Sequence, residues 1–558
     1  MSKSGFDFLV IKDIRILNSD MKESLYILHG SRTGNSKAAA ELAREYAEFQ
    51  GIRSRVESME EFDPEKLARY SHLLIAVSTH GEGDPPLQAE PFYQYIYNST
   101  NGEIGNLKYS ILALGDSSYK HFCKTGKDIN DRLKELGAHP FYPVVECDID
   151  FEDNAKEWVK SVVDQLKDEI ATVPVSKKQT DSFVFELKLD EIEGDYYKAK
   201  ITDKELLTGE KSTKRTYNIR LDLKNSGIEF DPGDSIGIFC PNSQLFVDQI
   251  IRTLGFDPTH VVKVKDEQQL LKHALIHEYE LTMITPVVMQ KYAEIISDAS
   301  LYGILESKKA TQEYTQTSDI LDLVTDFPGK ITPEEFISVL RKLAPRLYSV
   351  ASSRKVLAEN VDLAVGIIEY TITGREHIGV GSSFIADRLE VGEKVPVMLE
   401  SNGKFRLPDD TSVPIIMIGT STGVSPYRAF LQERELSGKG KNWLIFGDRN
   451  SATDFIYRKD FKSFMDKGVL TRLDTAFSRD NVQKKYVTHL ILRHSEEIYR
   501  WMEQGACIYL CGNKRTMAVD VRKAFTDIIA AGAGVSVEKA AIILENLKKE
   551  RRFQEDVY

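Results

Sequence analysis

Two kinds of apolar spacing alternate along this chain. In the first third, the runs "SLYILHG", "HLLIAVSTHGEG" and "YSILALGDSS" are apolar at nearly every position and end in Gly- and Ser-rich stretches. Between the first two, "SKAAAELAREYAEFQG" has helical spacing and closes on Gly51. Continuous apolar runs separated by helices belong to strands buried on both faces, hence to a parallel sheet. The pattern predicts a doubly wound α/β domain over 24–168, ending on the helix "NAKEWVKSVVDQLKDEI". Residues 1–23 form an N-terminal extension, and the polar, aperiodic "ATVPVSKKQTDS" marks a linker at 169–182.

From 183 the signal changes to shorter strands parted by Gly and Pro turns, as in "TKRTYNIRLDL" and "DPGDSIGIFCPN". A helical block follows at about 243–344, and strands resume at "RLYSVASS" and "DLAVGIIEYTI". The block therefore reads as an insert within a barrel domain over 183–405. Strand–loop–helix alternation returns over 406–558, in "VPIIMIGTSTGVSPYRAFLQERE", "NWLIFGDR", "VLTRLDTAFSRD" and "ACIYLCGNKRTMAVDVRKAF". This predicts a second parallel α/β domain. No repeat of 20–50 residues is visible.

Size fits this division, since 558 residues at roughly 100–200 per domain make three or four domains. A net charge of −12 argues against nucleic acid as a partner and suits either a basic protein partner or simple solubility. The five cysteines are odd in number and form no CxxC pair, which points to a reducing compartment, the cytoplasm. With no apolar run near the roughly 18 residues of a span and no signal-peptide core at the N-terminus, no membrane association is expected.

The chemistry concentrates in loops. "HGSRTGNSK" fails as a P-loop because Asn35 stands where GxxxxGK[ST] needs Gly. Ser31, Thr33, Asn35 and Ser36 around Gly34 can still hold a phosphate through hydroxyls and N–H groups at a helix N-terminus, although the same residues also make an ordinary helix cap. "STHGEGDPP" and "LGDSSYKHFC" leave the C-terminal ends of neighbouring strands, where open α/β sheets bind ligands, and bring the flat side chains of His80 and Tyr119. In "RLYSVASS", Arg346 and Tyr348 share a face and suit a diphosphate and a flat heterocycle, with Tyr370 and the small residues of "GVGSSF" downstream. "FSRDNVQKKYV" offers Ser478, Arg479, Lys484 and Tyr486 for a ribose 2′-phosphate and adenine, favouring NADPH over NADH. Each of these sets taken alone is also compatible with a barrel strand or a solvated loop.

Together, the three loops of the first domain resemble the FMN site of flavodoxin-like domains. The stretch from 346 onward resembles the FAD and NADPH sites of the ferredoxin–NADP reductase family, whose GxGTGxxPxR pattern is matched by Gly419, Thr422, Gly423, Pro426 and Arg428, with Ser421 in place of the middle glycine. The order of parts resembles the diflavin reductases from about Ser24 to Tyr558. Within them, "LGDSSYKHFC", "RLYSVASS", "SSFIADR", "FRLP", "GKNWLIFG", "GVLTR" and "ERRFQEDVY" are most similar to the flavoprotein subunits of NADPH–sulfite reductases.

This resemblance implies a multidomain α/β protein: a flavodoxin-like domain, then a ferredoxin–NADP reductase-like module of antiparallel FAD-binding β-barrel with helical insert and parallel NADPH domain. It implies FMN contacts from Ser31, Arg32, Thr33, Gly34, Asn35, Ser36, Ser78, Thr79, His80, Gly81, Leu114, Gly115, Asp116, Ser117, Ser118, Tyr119, Lys120, His121, Phe122 and Cys123. For FAD it implies Thr282, Arg346, Leu347, Tyr348, Ser349, Ala364, Val365, Gly366, Tyr370, Gly379, Val380, Gly381, Ser382 and Tyr558. For NADPH it implies Gly419, Thr422, Gly423, Arg428, Ser478, Arg479, Lys484, Lys485, Tyr486, Val487, Thr488 and Asp520. Ser349, Cys511 and Asp556 match the family's residues at the hydride-transfer site, and Tyr558 would lie over the FAD ring opposite Tyr348, where the nicotinamide must arrive.

The implied route is NADPH to FAD to FMN to a metal-centre partner, the sirohaem and iron–sulfur hemoprotein subunit that reduces sulfite to sulfide in cysteine biosynthesis. Two alternatives are a soluble NADPH reductase of a haem monooxygenase or other acceptor, and a flavin-binding regulatory protein without turnover. Relatives carry a longer N-terminal extension implicated in oligomerisation, so the short one here leaves a homo-oligomer open.

Overall fold

The computed structural model describes residues 25–31, 34–80, 83–99, 104–117, 121–170, 183–187, 196–264, 267–372, 375–438 and 440–558. The chain divides into two compact units, Met1–Gly194 with Ile284–Thr315, and Asp195–Met283 with Gln316–Tyr558. The helical block of 243–344 is thus shared between them.

In the first unit, β1 (Leu25–Gly30), β2 (Ser54–Ser58), β3 (His72–Ser78), β4 (Lys108–Leu114), β5 (His139–Pro140) and β6 (Val145–Cys147) form one sheet. Its order is β2-β1-β3-β4-β5, with β6 also on β4, and every pairing is parallel. Alternate residues of β1 face opposite sides. Leu25 and Ile27 join a core with the helices Asn35–Phe49 and Glu152–Glu169. Tyr26 and Leu28 join another with Glu90–Asn98 and Lys124–Glu135. Both faces are covered, which is why the strands read as continuous apolar runs.

Ala39, Ala40, Ala43 and Ala47 line the buried face of the first helix, combining close approach to the sheet with the best helix propensity. The one polar group of Trp158 is satisfied inside the core, its Nε1 donating to Ser110 Oγ at 2.9 Å. Phe183 and Phe185 pack on Tyr46 at 4.9 and 4.6 Å between ring centroids. In the Ile284–Thr315 segment, Lys291 pairs with Asp150 at 3.2 Å.

The second unit begins with β7 (Tyr197–Leu206), β8 (Thr216–Asp222) and β9 (Ser235–Ile238). A hairpin of β10 (Val261–Val264) and β11 (Glu267–Leu270) follows among helices, and the chain returns on β12 (Arg346–Ser349), antiparallel to β9. Next come β13 (Asn360–Gly366), the hairpin β14 (Glu369–Ile372) and β15 (Arg375–Ile378), and β16 (Lys394–Glu400). The antiparallel order is β12-β9-β16-β7-β8-β13, and a bridge between Val350 and Leu363 joins the two edge strands. Alternation of buried Ala199 and Ile201 with exposed neighbours on β7 is the signature of a sheet buried on one face.

The remaining strands are β17 (Ile415–Thr420), β18 (Asn442–Asp448), β19 (Arg472–Phe477), β20 (Cys507–Gly512) and β21 (Phe553–Val557). They form a parallel sheet in the order β19-β18-β17-β20-β21, covered on both faces. The end of the chain is therefore a strand of the sheet, with Asp556 opposite Cys511 and Val557 opposite Gly512.

Barrel and second parallel sheet are joined through Asp362, which is wholly buried. It accepts from Arg220 Nε at 2.7 Å and Nη2 at 2.9 Å, and from Arg428 Nη1 at 3.0 Å. Burial alone would raise its carboxyl; the two guanidiniums more than reverse that and hold it below the usual carboxylate range. Among the described residues, no helix is long and apolar enough to cross a membrane.

Candidate functional site

At the first sheet, β1, β3 and β4 are adjacent and parallel, so the three loops foreseen for FMN leave one edge side by side. After β1, Gly34 takes the left-handed conformation (φ 80°) and opens the helix Asn35–Phe49. Ser36 N donates to Ser31 Oγ at 3.2 Å. The Ser36 hydroxyl is buried and has no hydrogen-bond partner among the described residues. A helix N-terminus with an orphaned hydroxyl fits a phosphate without a cation.

After β3, Ser78 ends the strand and Thr79 accepts from Thr125 N at 3.1 Å, while His80 and Asp84 exchange backbone hydrogen bonds. After β4, which ends on Leu114, Gly115 donates to Cys147 O at 2.9 Å. A Cβ on Gly115 would come 2.8 Å from Cys123 N, so the loop can close only over glycine. Asp148 shapes the same turn: Ser117 N donates to it at 3.0 Å, and Ser117 Oγ also donates to it. Asp116 and the partly buried His121 and Phe122 flank that turn. The Cys123 side chain is wholly buried, its thiol donating to Ala113 O at 3.1 Å, and burial pushes it up to about 12. Arg32, Thr33, Gly81, Ser118, Tyr119 and Lys120 lie outside the described residues.

In the second unit, Arg346 Nη2 pairs with Glu280 Oε2. Thr282 donates to the other oxygen of Glu280 twice, from N and Oγ1, both at 2.8 Å. Burial would raise Glu280, and Arg346 and Thr282 together hold it below its ordinary value. The fold thus brings Thr282 to Arg346, 64 positions away, through a residue that sequence reasoning did not select. Gly381 lies against this strand: a Cβ there would stand 2.6 Å from Arg346 Cγ and 3.1 Å from the Tyr348 hydroxyl. Gly381 thus packs directly on Arg346 and Tyr348 and leaves a guanidinium, a phenol and bare backbone together, a set that fits a diphosphate beside a flat ring.

Gly379 and Ser382 frame the same turn, Ser382 Oγ accepting from Ile368 N at 3.2 Å; Val380 is buried in the barrel core. Leu347 points away and is half exposed, Val365 is in the barrel core, and Ala364 lies in the core beneath β17. Gly366 stands close to Thr422, with 3.3 Å from its would-be Cβ to Thr422 Cγ2. Tyr370 is exposed on one side and stacked on His377 on the other.

Three residues far apart in sequence meet at the C-terminal edge of β20. Ser349 Oγ donates to Asp556 Oδ2 at 3.0 Å, and Cys511 Sγ lies 3.8 Å from the same oxygen. Burial, then the Asp556 charge, push the Cys511 thiol well up, so it stays protonated. The tail is tied at both ends of its last residue: Tyr558 N donates to Gly512 O at 3.1 Å and Tyr558 O accepts from Lys514 N at 3.0 Å. The Tyr558 hydroxyl lies 2.9 Å from Thr422 Oγ1, while its ring remains exposed.

Around the turn after β17, a Cβ on Gly423 would stand 2.4 Å from Cys511 O, which excludes any side chain there. Gly419 is equally tight against Tyr427 and Gly423. Ser421, where the family has glycine, adopts φ 52°. Its Oγ accepts from Lys214 Nζ at 2.9 Å, and Lys214 also pairs with Asp448 at 2.6 Å. Arg428 is committed elsewhere, to Asp362, to Ala351 O at 2.8 Å and over the Tyr457 ring at 4.8 Å.

Ser478 and Arg479 follow β19, held by backbone bonds to Asp448 and Arg449. Arg479 and Arg449 both donate to Thr213 Oγ1, at 3.3 and 3.0 Å. Two guanidiniums on one hydroxyl leave an excess of positive charge, which suits a phosphate monoester. Lys484, Lys485 and Tyr486 are exposed, Val487 is buried under Gly447, and Thr488 is in the first turn of the helix Val487–Arg493. Asp520 is exposed in the helix Met517–Ala533.

Sequence reasoning missed Glu280, Asp362, Lys214, Asp448, Arg449 and Asp148. No local pattern marks them, since each acts on a residue brought near by the fold.

The flavodoxin family model matches residues 27–160, the FAD-binding domain model 192–384 and the oxidoreductase NAD-binding domain model 417–523. The chain is 37% identical to the sulfite reductase (NADPH) flavoprotein alpha-component of Bacillus subtilis (strain 168), over 96% of this chain and 90% of that protein. It is 35% identical to the protein of the same name from Vibrio vulnificus (strain CMCP6), over 96% of this chain and 87% of that one. With a flavodoxin-type FMN domain, an FAD domain and a nicotinamide-dinucleotide domain in one chain, it is a flavoprotein oxidoreductase and belongs to the sulfite reductase (NADPH) flavoprotein alpha-component family.

Proposed function

We propose that this protein takes electrons from NADPH through FAD and FMN to the hemoprotein component of sulfite reductase, for reduction of sulfite to sulfide. The domain division that goes with this reading is 24–168 for FMN, 169–182 as linker, 183–405 for FAD and 406–558 for NADPH. When bound, the flavins supply the conversion between a two-electron hydride donor and one-electron acceptors. Arg346, held by Glu280, would grip the FAD diphosphate, and Gly381 leaves room for it beside Tyr348. Arg479 with Arg449 would take the 2′-phosphate that separates NADPH from NADH.

The observation that carries the proposal is the convergence of Ser349 and Cys511 on Asp556. Asp556 accepts from the Ser349 hydroxyl and so fixes it where it would lie beside the reactive edge of a bound flavin, and its negative charge would favour the cation that develops on the nicotinamide. Cys511, kept as a thiol, would lie behind the nicotinamide and add no competing charge. Tyr558 would cover the flavin until the nicotinamide arrives. Within the acidic stretch 146–153, Glu146 and Asp153 are exposed and Glu152 partly so, which supports a basic docking face on the acceptor, while Asp148 is buried and Asp150 pairs with Lys291. Five unpaired, buried thiols support a cytoplasmic location.

The test is reconstitution. Mixed with the hemoprotein component of a related sulfite reductase, the flavin-loaded protein is expected to form sulfide at the expense of NADPH. Reduction of cytochrome c with no sulfide from any such hemoprotein would transfer the protein to another acceptor.

A further inference from the structure

The β14–β15 hairpin carries a side-chain arrangement that the proposed flavin chemistry does not use. Tyr370 and His377 are cross-strand partners, and their rings stack with centroids 5.0 Å apart and planes 4° from parallel. His377 is buried at 5% exposure, whereas Tyr370 is 43% exposed. Tyr370 therefore has one face backed by an imidazole and the other free.

The imidazole is itself anchored. Its Nδ1 lies 3.3 Å from Asp319 Oδ2 and 3.2 Å from Arg375 Nη2, and its Nε2 lies 3.8 Å from Asp322 Oδ2. Asp319 caps the helix Ile320–Asp326, and Asp322 completes the capping box, so both carboxylates are rigid. Asp319, Asp322 and His377 offer the donor set of a metal site. However, Arg375 already donates to both carboxylates, at 2.5 Å to Asp319 and at 2.8 and 2.6 Å to Asp322. The guanidinium fills the role of the cation.

We infer that His377 is a positioning residue for FAD: it fixes the plane of Tyr370 from behind, so that the exposed face of Tyr370 is set in advance to stack on the adenine. This rests on the reading of Tyr370 as an FAD contact. A ring fixed before the ligand arrives has no rotamer freedom left to lose on binding. The backing is expected to be worth what one aromatic pair is worth, about three- to tenfold in affinity.

FAD is titrated into the full-length deflavinated protein, with FMN affinity measured on the same samples as an internal control. In His377→Ala the dissociation constant for FAD is expected to rise about three- to tenfold while that for FMN is unchanged. In His377→Phe, which keeps a ring but loses the polar contacts to Asp319, Asp322 and Arg375, FAD affinity is expected to return to within about twofold of the unsubstituted protein. Unaltered FAD affinity in His377→Ala overturns the inference. So does a His377→Phe protein as weak as His377→Ala, which would assign the effect to the polar contacts at Asp319. Tyr370→Ala separates the two levels: if it binds FAD normally, the FAD reading of Tyr370 falls. If it weakens FAD while His377→Ala does not, only the positioning role falls.

Discussion

The two parallel sheets build their ligand edges differently. At the first, everything comes from consecutive strands of one sheet, so the loops after β1, β3 and β4 lie together because the strands do. At the second, the chemical centre joins β12 of the barrel, β20 of the sheet and the chain's own end on β21; Ser349 and Asp556 are 207 positions apart. A site of the first kind depends on loop geometry and on glycines. A site of the second kind depends on how firmly the barrel is fixed to the sheet, where buried Asp362 acts beside the Lys214–Asp448 pair and the Tyr457–Asn218 hydrogen bond.

The largest test of this contrast is Asp362→Ala. It leaves Arg220 and Arg428 facing each other without their shared carboxylate, at a cost of about 3–5 kcal/mol. Calorimetry should show the transition of the second unit lowered and that of the flavodoxin-like unit in place; a common shift of both would break the contrast. Asp556→Ala comes next, with flavin reduction by NADPH slowed about a hundredfold while FAD content is retained, as read by stopped-flow absorbance. Equal loss of FAD would mean that the tail is a structural strap.

Acid should separate the units as well. Asp362 and Glu280 are both held below their ordinary values, burial being outweighed by the facing guanidiniums. The stability they contribute is complete above the unfolded value, near about 4, and is lost as the pH falls through the lower folded values. Melting of the second unit should be flat from about pH 7 to 5 and fall below about 4. In Asp362→Asn it should be lower throughout, with a shallower acid slope; an unchanged slope would assign the acid loss to other groups.

At the first edge, Gly115→Ala should weaken FMN binding by pushing the loop off Cys123 N, without touching FAD content, measured from flavin released on dialysis. A protein with normal FMN content would show that the loop opens at no cost. The smallest effect is expected at Ser421→Gly. Relief of a left-handed serine, about 1–2 kcal/mol, is offset by loss of the hydrogen bond from Lys214, itself about 1–2 kcal/mol, leaving a net change under about 1 kcal/mol. A larger destabilisation would make Lys214 a clasp of the β17 turn.

What the sequence determined by itself was whatever is local. The parallel sheets were legible because burial on both faces leaves no polar position in "LLIAV" or "ILAL". The hydroxyl-rich turn into the first helix was legible because Gly34 and its hydroxylated neighbours lie within six residues. Ser421 stood out as a departure, but only the fold shows that its hydroxyl meets Lys214 on the far side of the barrel hairpin. Nor could periodicity reveal that residues 284–315 group with the first unit, since a helix's apolar face does not say which neighbour covers it. Tertiary structure alone decided the partners of charge: Glu280 for Arg346, Asp362 for Arg428, Arg449 beside Arg479, Asp319 behind His377. A buried charge must be met by another, and which residue meets it depends on the path of the whole chain rather than on any window of it.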